Sequence, residues 1–401
     1  MLRRFLATVA LIAMVGSMPA LAEESFEPLC DLAQAHGFRL GAALSYGDLN
    51  NRPLLEKLTG HFNSVTPTNE LKAYSLLDEG ASRAAQDGMP VMNYGPADAM
   101  LAWAQNNGIA VRGHTLVWDA YMCDWFFREG YSPANPYADS ETVRARTAYY
   151  IDAVLTHFEE KFPGLIYCWD VVNEAVADSA GEYDPADPRH LRKLRGGGAN
   201  LFEKYLGDDY VAFAFLCARN TVERLGADIK LYYNDYNAYF PQKAQAILAL
   251  ADSVNRYATN DDGTPRRLVD GIGMQGYIGG YGVQQGCLEQ SHIDMLRDAI
   301  LGYANAGYEV QLTEMAVRNY DESKAERHAE YYGELFDMFA KLNAEADDPL
   351  VAVSIWGLVD CPRLPKDHYV YKQNSPWGGL FTEAWQYKDA FRAAYAALGG
   401  A

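Results

Sequence analysis

From residue 38 onward the chain alternates short apolar runs with longer stretches whose apolar residues recur at helical spacing. The short runs carry little of the polar alternation of a half-exposed sheet, which predicts parallel strands covered on both faces. Eight occur in order: 38–46 (FRLGAALSY), 62–69 (FNSVTPTN), 109–118 (IAVRGHTLVW), 165–174 (LIYCWDVVNE), 229–237 (IKLYYNDYN), 271–277 (GIGMQGY), 309–317 (EVQLTEMAV) and 351–360 (VAVSIWGLVD). Eight covered strands separated by helices predict one α/β domain, a single (β/α)8 barrel. Stripes such as Ile151, Leu155, Phe158, Phe162 and Tyr332, Phe336, Phe339, Leu342 would each lay one apolar helix face on the sheet. Gly108, Gly226 and Gly307 stand where three helices should stop just before the next strand. Residues 175–207, with Gly196, Gly197 and Gly198, read as a long loop after the fourth strand. No heptad array, short repeat or Pro/Ser/Thr-rich linker interrupts the alternation, so no second binding module is expected.

Ahead of the first strand lies a basic start, Arg3-Arg4, then an apolar run from Phe5 to Val15 and small residues ending at Ala22. That order predicts a secretory signal peptide over 1–22, cleaved to leave 23–401 as a secreted barrel, because the run is well short of the ~20 apolar residues that span a bilayer. A hydrophobic content of 49% suits a large core, and 34 Lys plus Arg against 53 Asp plus Glu give a net charge of -19. Such a surface repels nucleic-acid phosphates and anionic lipid, so neither nucleic acid nor membrane is an expected partner, whereas a neutral sugar is. Six cysteines contain no C-x-x-C pair, which argues against a zinc knuckle or a thioredoxin-like site. Cys168 and Cys217 fall in strand-like and helical runs and read as buried thiols. Cys123 and Cys361 fall in loops on one face of the expected barrel and are the disulfide candidates.

In a (β/α)8 barrel the active site forms at the C-terminal ends of the strands, so polar residues there are informative. The second run ends in Asn69 and Lys72, the third carries His114 and Trp118, and the fourth carries Asp170, Asn173 and Glu174. Asn234 and Tyr236 follow on the fifth, Gln275 and Tyr277 on the sixth, Glu314 on the seventh, and Trp356 with Asp360 on the eighth. Two carboxylates in one ring suffice to cleave a glycosidic bond, one protonating the leaving oxygen while the other stabilises or attacks the anomeric carbon. Tryptophans suit such a site because the C–H face of a sugar ring stacks on an aromatic surface, while its hydroxyls need amide and acid partners.

At these residues the chain resembles glycoside hydrolase family 10, the retaining endo-β-1,4-xylanases. The resemblance is carried by GHTLVW at 113–118, WDVVNEA at 169–175, YYNDYN at 232–237, LTE at 312–314 and Trp356-Gly357, in order along nearly the whole chain after residue 36. It implies that Glu174 is the general acid/base and Glu314 the nucleophile, with their carboxyls about 5 to 5.5 Å apart. It further implies that Asn173 bonds the sugar 2-hydroxyl, that Gln275 orients Glu174, and that His114, its tautomer set by Asp170, reaches the ring at the cleavage point. Asn69 and Lys72 would hold hydroxyls on the non-reducing side. Trp118 and Trp356 would contact sugar, with Asn234 and Tyr236 in support. The implied activity is hydrolysis of β-1,4-xylosidic bonds in xylan. The exported chain is expected to act as a monomer, and since two carboxylates suffice for this reaction no metal or organic cofactor is expected.

Several positions depart from the family pattern. Thr68 replaces the Glu that usually precedes the strand-two Asn, and Asp119-Ala120-Tyr121 replaces a stretch with His first and Gln third. The position of a second, lid-forming Trp is Leu364, with Trp377 available from a later loop. Tyr277 stands where the family has His, and Ala316 where it has an Asp that this His bridges to the nucleophile. Losing both together avoids a second carboxylate facing Glu314. The expectation is that the Tyr277 hydroxyl donates to Glu314 directly. Two other readings stay open on the residues alone: a hydrolase of another β-1,4-glycan, and a barrel that binds glycan without cleaving it.

Overall fold

The structure is a computed structural model that describes residues 24–177, 200–278, 288–368 and 375–401. The expected signal peptide, Cys287 and the Gly196–Gly198 part of the long loop lie outside the described residues. Eight strands form the barrel: β1 (Arg39–Leu44), β2 (Ser64–Pro67), β3 (Ala110–Val117), β4 (Ile166–Asn173), β5 (Lys230–Asp235), β6 (Gly271–Met274), β7 (Glu309–Val317) and β8 (Leu350–Ile355). Each pairs in parallel with its sequence neighbours, and β8 closes the ring by pairing with both β7 and β1. Almost every strand residue is buried, because side chains on one face fill the barrel and those on the other meet the helices.

The helical stripes land as the spacing predicts. Helix Ser140–Lys161 starts at Asp139, whose carboxylate accepts from Thr142 N at 2.7 Å, and it buries Ile151, Leu155 and Phe158. Phe162 caps its C-terminus. Helix Ala325–Glu345 buries Tyr332, Phe336, Phe339 and Leu342. Gly108, Gly226 and Gly307 take φ of +66°, +63° and +86°, the left-handed turn that ends a helix before a strand. Inside the sheet, Gly113 is required by a neighbour: a Cβ there would collide with the indole of Trp169 on β4.

Four expectations are corrected. The eighth strand stops at Ile355 rather than running to 360, so Asp360 leaves the barrel mouth and pairs with Lys388 at 2.7 Å. The sixth stops at Met274, and Tyr277–Ile278 forms a separate short strand on Ala316–Val317 after Gly276 turns the chain at φ +75°. Helix Leu201–Leu206, capped by Asn200, occupies the end of the stretch read as loop. Cys123 and Cys361 are free thiols, with Cys361 Sγ 3.3 Å from Ser375 O.

Two buried histidines make the fold acid-sensitive. Burial, with Lys388 adding to it, pushes the His328 imidazole from 6.5 down to about 4, while its Nε2–H donates to the Val317 carbonyl at 3.0 Å. His61 is likewise held down to about 4 by burial and by Lys57. The unfolded chain takes up these protons near pH 6.5 and the folded one only near 4, so stability is full above about 6.5 and falls as pH drops through that window. We expect His328→Gln, which keeps a donor to Val317, to recover about 2 kcal/mol of the stability lost between about pH 7 and 5, read by urea unfolding at both values.

Candidate active site

Strand register decides which polar residues meet at the barrel mouth. β4 ends at Asn173, and Glu174 follows at φ +55° with its N–H donating to Asn234 O at 2.8 Å, so the chain turns as it leaves the sheet. The N–H groups of Ala175 and Val176 donate to the Tyr233 hydroxyl at 3.0 and 2.9 Å. That hydroxyl donates in turn to Asp235 at 2.6 Å, and Lys243 pairs with Asp235 at 2.8 Å. This buried chain of bonds fixes the backbone on the far side of Glu174. Gln275 Nε2 donates to Glu174 Oε1 at 2.8 Å, holding the carboxyl itself.

Glu314 is anchored from the same neighbour: its N–H donates to Gln275 O at 2.8 Å. Between Leu312 and Met315 the pairing of β7 with β8 shifts register, which places the glutamate at an irregularity in the ladder. Its Oε2 accepts from the Tyr277 hydroxyl at 2.7 Å. Tyr277 pairs with Ala316, whose methyl adds no charge beside the carboxylate, and the Tyr277 carbonyl accepts from the Tyr239 hydroxyl at 3.2 Å. The buried Arg318 guanidinium lies 5.3 Å from the Tyr277 ring centroid, at cation–π range.

Below the mouth, register pairs His114 with Asp170 and Asn173 with Asn234. His114 Nδ1 lies 2.8 Å from Asp170 Oδ2, and since a carboxylate can only accept, this bond places the proton on Nδ1 and directs Nε2 elsewhere. Arg112 binds both oxygens of Asp170, and Thr115 donates to its carbonyl at 2.9 Å. Asn234 donates to Asn173 Oδ1 at 2.9 Å while accepting from Thr313 at 2.7 Å. Those bonds orient the Asn173 amide with its oxygen occupied and its Nδ2 buried without a partner among the described residues. Gly273 makes room for this group, since a Cβ there would collide with Asn234 Oδ1.

A cleft of about 580 Å³ opens above these groups. Of the residues expected from the sequence, Asn69, Lys72, His114, Trp118, Glu174, Tyr277, Glu314 and Trp356 line it. Asp170 and Gln275 are not among the lining residues but hold two of them, His114 and Glu174, while Asn173 and Asn234 bond each other. Tyr236, expected in support, is buried with Lys243 Nζ 3.8 Å from its ring centroid, and Lys243 pairs with Asp235 in the chain of bonds beside Glu174. Lys72 is only 7% exposed and donates to Asn69 Oδ1 at 3.1 Å. Burial pulls its ammonium below the usual lysine range, opposed by Glu314, Glu174 and Glu70. Sequence reading missed Trp385, which enters the cleft at φ +61° from a segment following an isolated bridge between Val359 and Phe381. Trp377, the expected substitute, is not among the lining residues; its N–H donates to Asn319 O. An exposed turn with no strand pattern offered no signal that would have favoured 385 over 377.

The family model described as Glycosyl hydrolase family 10 matches residues 28–397. Endo-1,4-beta-xylanase B of Butyrivibrio fibrisolvens is 31% identical over 330 residues, covering 80% of this chain and 46% of that protein. An endo-1,4-beta-xylanase of Geobacillus stearothermophilus is 28% identical over 390 residues, covering 94% of this chain and 98% of that one. Among solved structures, the CBM22-1 and GH10 modules of Clostridium thermocellum endo-1,4-beta-D-xylanase 10B, complexed with xylohexaose, match with a TM-score of 0.76 at 29% identity. That match covers 92% of this chain and 67% of the other. The chain thus spans less than half the length of the first relative and nearly all of the second. Since the match runs from the first helix to the last and encloses every strand of the barrel, the chain belongs to glycosyl hydrolase family 10.

Proposed function

We propose that this protein is an exported hydrolase of β-1,4-xylan that cleaves with retention through a covalent intermediate. The observation that carries the reading is that two carboxylates share one cleft and each accepts from an uncharged donor: Glu174 from Gln275 and Glu314 from Tyr277. Glu174 protonates the glycosidic oxygen as Glu314 attacks the anomeric carbon, so the leaving sugar departs with the proton and an ester joins Glu314 to the remaining glycan. Glu174, now a carboxylate, takes a proton from water, which attacks the same carbon and releases Glu314. Asn173, whose Nδ2 has no partner among the described residues, would supply a donor to the sugar 2-hydroxyl in the transition state. His114 and Lys72 serve the sugar at the cleavage point, while Trp356 and Trp385 wall the cleft with aromatic surface. The named activities of the relatives supply the xylan assignment.

Three outcomes test this reading. A 2-fluoro-xylosyl inactivator should add one sugar mass to Glu314, located by peptide mass spectrometry, and leave Glu314→Gln unlabelled; an unlabelled wild type would instead favour a silent glycan binder. Glu174→Gln should lower kcat on xylan by about 10²- to 10⁴-fold and on an activated aryl xyloside far less, since the latter leaving group needs no proton. Tyr277→Phe removes the directed bond that holds the Glu314 carboxylate, so kcat/KM on xylan should fall by about tenfold or more. An unchanged kcat/KM would assign the support of Glu314 to some other group.

A further inference from the structure

Single exposed apolar side chains are ordinary, whereas contiguous ones call for a reason. Among the described residues five large apolar side chains are exposed, all tyrosines, and two of them, Tyr74 and Tyr121, lie 5.5 Å apart beside the cleft. Tyr121 is 41% exposed, and its ring centroid is 4.3 Å from that of Trp118, tilted by 35°. Trp118 follows the last residue of β3, and the turn Asp119–Tyr121 carries the chain directly from it. Lys72 Nζ lies 5.1 Å from the Trp118 ring and 4.6 Å from the Tyr121 ring, tying the strip to the buried end of the cleft. Exposure therefore rises outward from Lys72 and the carboxylates, through half-buried Trp118, to open Tyr121 and Tyr74.

We infer that Trp118, Tyr121 and Tyr74 form a distal platform for a further pyranose of the same glycan, docked by its C–H face with its secondary hydroxyls left free to carry substituents. The inference rests on the glycan-hydrolase reading and deepens it. A polymer cleaved at the buried carboxylates has to leave the cleft, and this strip is continuous with the cleft lining through Trp118 and Tyr121. Recognition by ring faces is apolar and face-selective, because a pyranose presents C–H groups on its faces and hydroxyls around its edge. Where an amide would demand a free hydroxyl, Tyr121 demands only a ring, so a branched or acylated unit fits as well as a bare one. Tyr121 also stands at the place where the family resemblance leads one to expect Gln.

The test compares wild type, Tyr121→Ala, Tyr121→Gln and Tyr74→Ala on three substrates: an activated aryl β-xyloside, which fills only the cleavage point, linear xylohexaose, and an arabinosyl-substituted xylohexaose. Tyr121→Ala should lower kcat/KM on both hexaoses by about three- to tenfold more than on the aryl xyloside, the signature of a lost distal ring contact. Tyr74→Ala should act in the same direction. Tyr121→Gln should penalise the substituted hexaose more than the linear one. Hexaose values that stay level, or that fall in parallel with the aryl xyloside, overturn the platform while leaving the hydrolase reading intact. If the wild type cleaves none of the three, the hydrolase reading fails instead, and calorimetric binding of hexaose decides: affinity weakened in Tyr121→Ala supports the platform, and equal affinity removes it.

Discussion

Closure of the parallel sheet is the constraint from which the rest follows. β8 must satisfy β7 on one side and β1 on the other, and only then do strands far apart in sequence present their C-terminal ends to one shared space. Parallel ladders leave no freedom in which residues face each other once the register is set. His114 meets Asp170 and Asn173 meets Asn234 because those Cα atoms are partners in the ladder, and the side-chain bonds between them are consequences of that pairing. Glycines in the sheet contribute by absence: where Trp169 or Asn234 leans over the neighbouring strand, the facing position carries no Cβ.

Charge inside such a barrel is costly unless it is fully partnered. The Asp170 carboxylate meets that requirement with Arg112 across both oxygens and His114 at one of them, and Arg112 also donates to Gln311 at 3.0 Å. One buried cation thus supports an acid that in turn orients an imidazole at the cleft. The arrangement gives His114 a defined protonated nitrogen without asking any cleft residue to supply it.

Support of the two cleft carboxylates follows a different logic. Neither Gln275 nor Tyr277 carries a charge, so each holds its glutamate by a directed bond and adds no ion pair to the pocket. Pairing Tyr277 with Ala316 keeps a second acid away from Glu314, and the buried Lys72 ammonium is attracted by both carboxylates. An aromatic wall is built from three directions, with Trp118 after β3, Trp356 after β8 and Trp385 from the turn that precedes the last helix.

Period and composition were enough to read the eight strands, their covered faces and the helix stripes, because burial on both faces leaves an apolar run that no other arrangement tolerates. The carboxylate pair was legible for the same reason, since polar residues at the end of such a run have nowhere to go but the mouth. The bond from Tyr277 to Glu314 could be anticipated from a missing His and a missing Asp taken together. Loop geometry could not: Trp385 rather than Trp377 reaches the cleft, and Asp360 turns away to Lys388. Local sequence determines which residues must be covered, since hydrophobic period acts over a few neighbours. Which exposed-turn side chain ends up facing which pocket depends on backbone paths set by distant contacts, and those exist only once the barrel has closed.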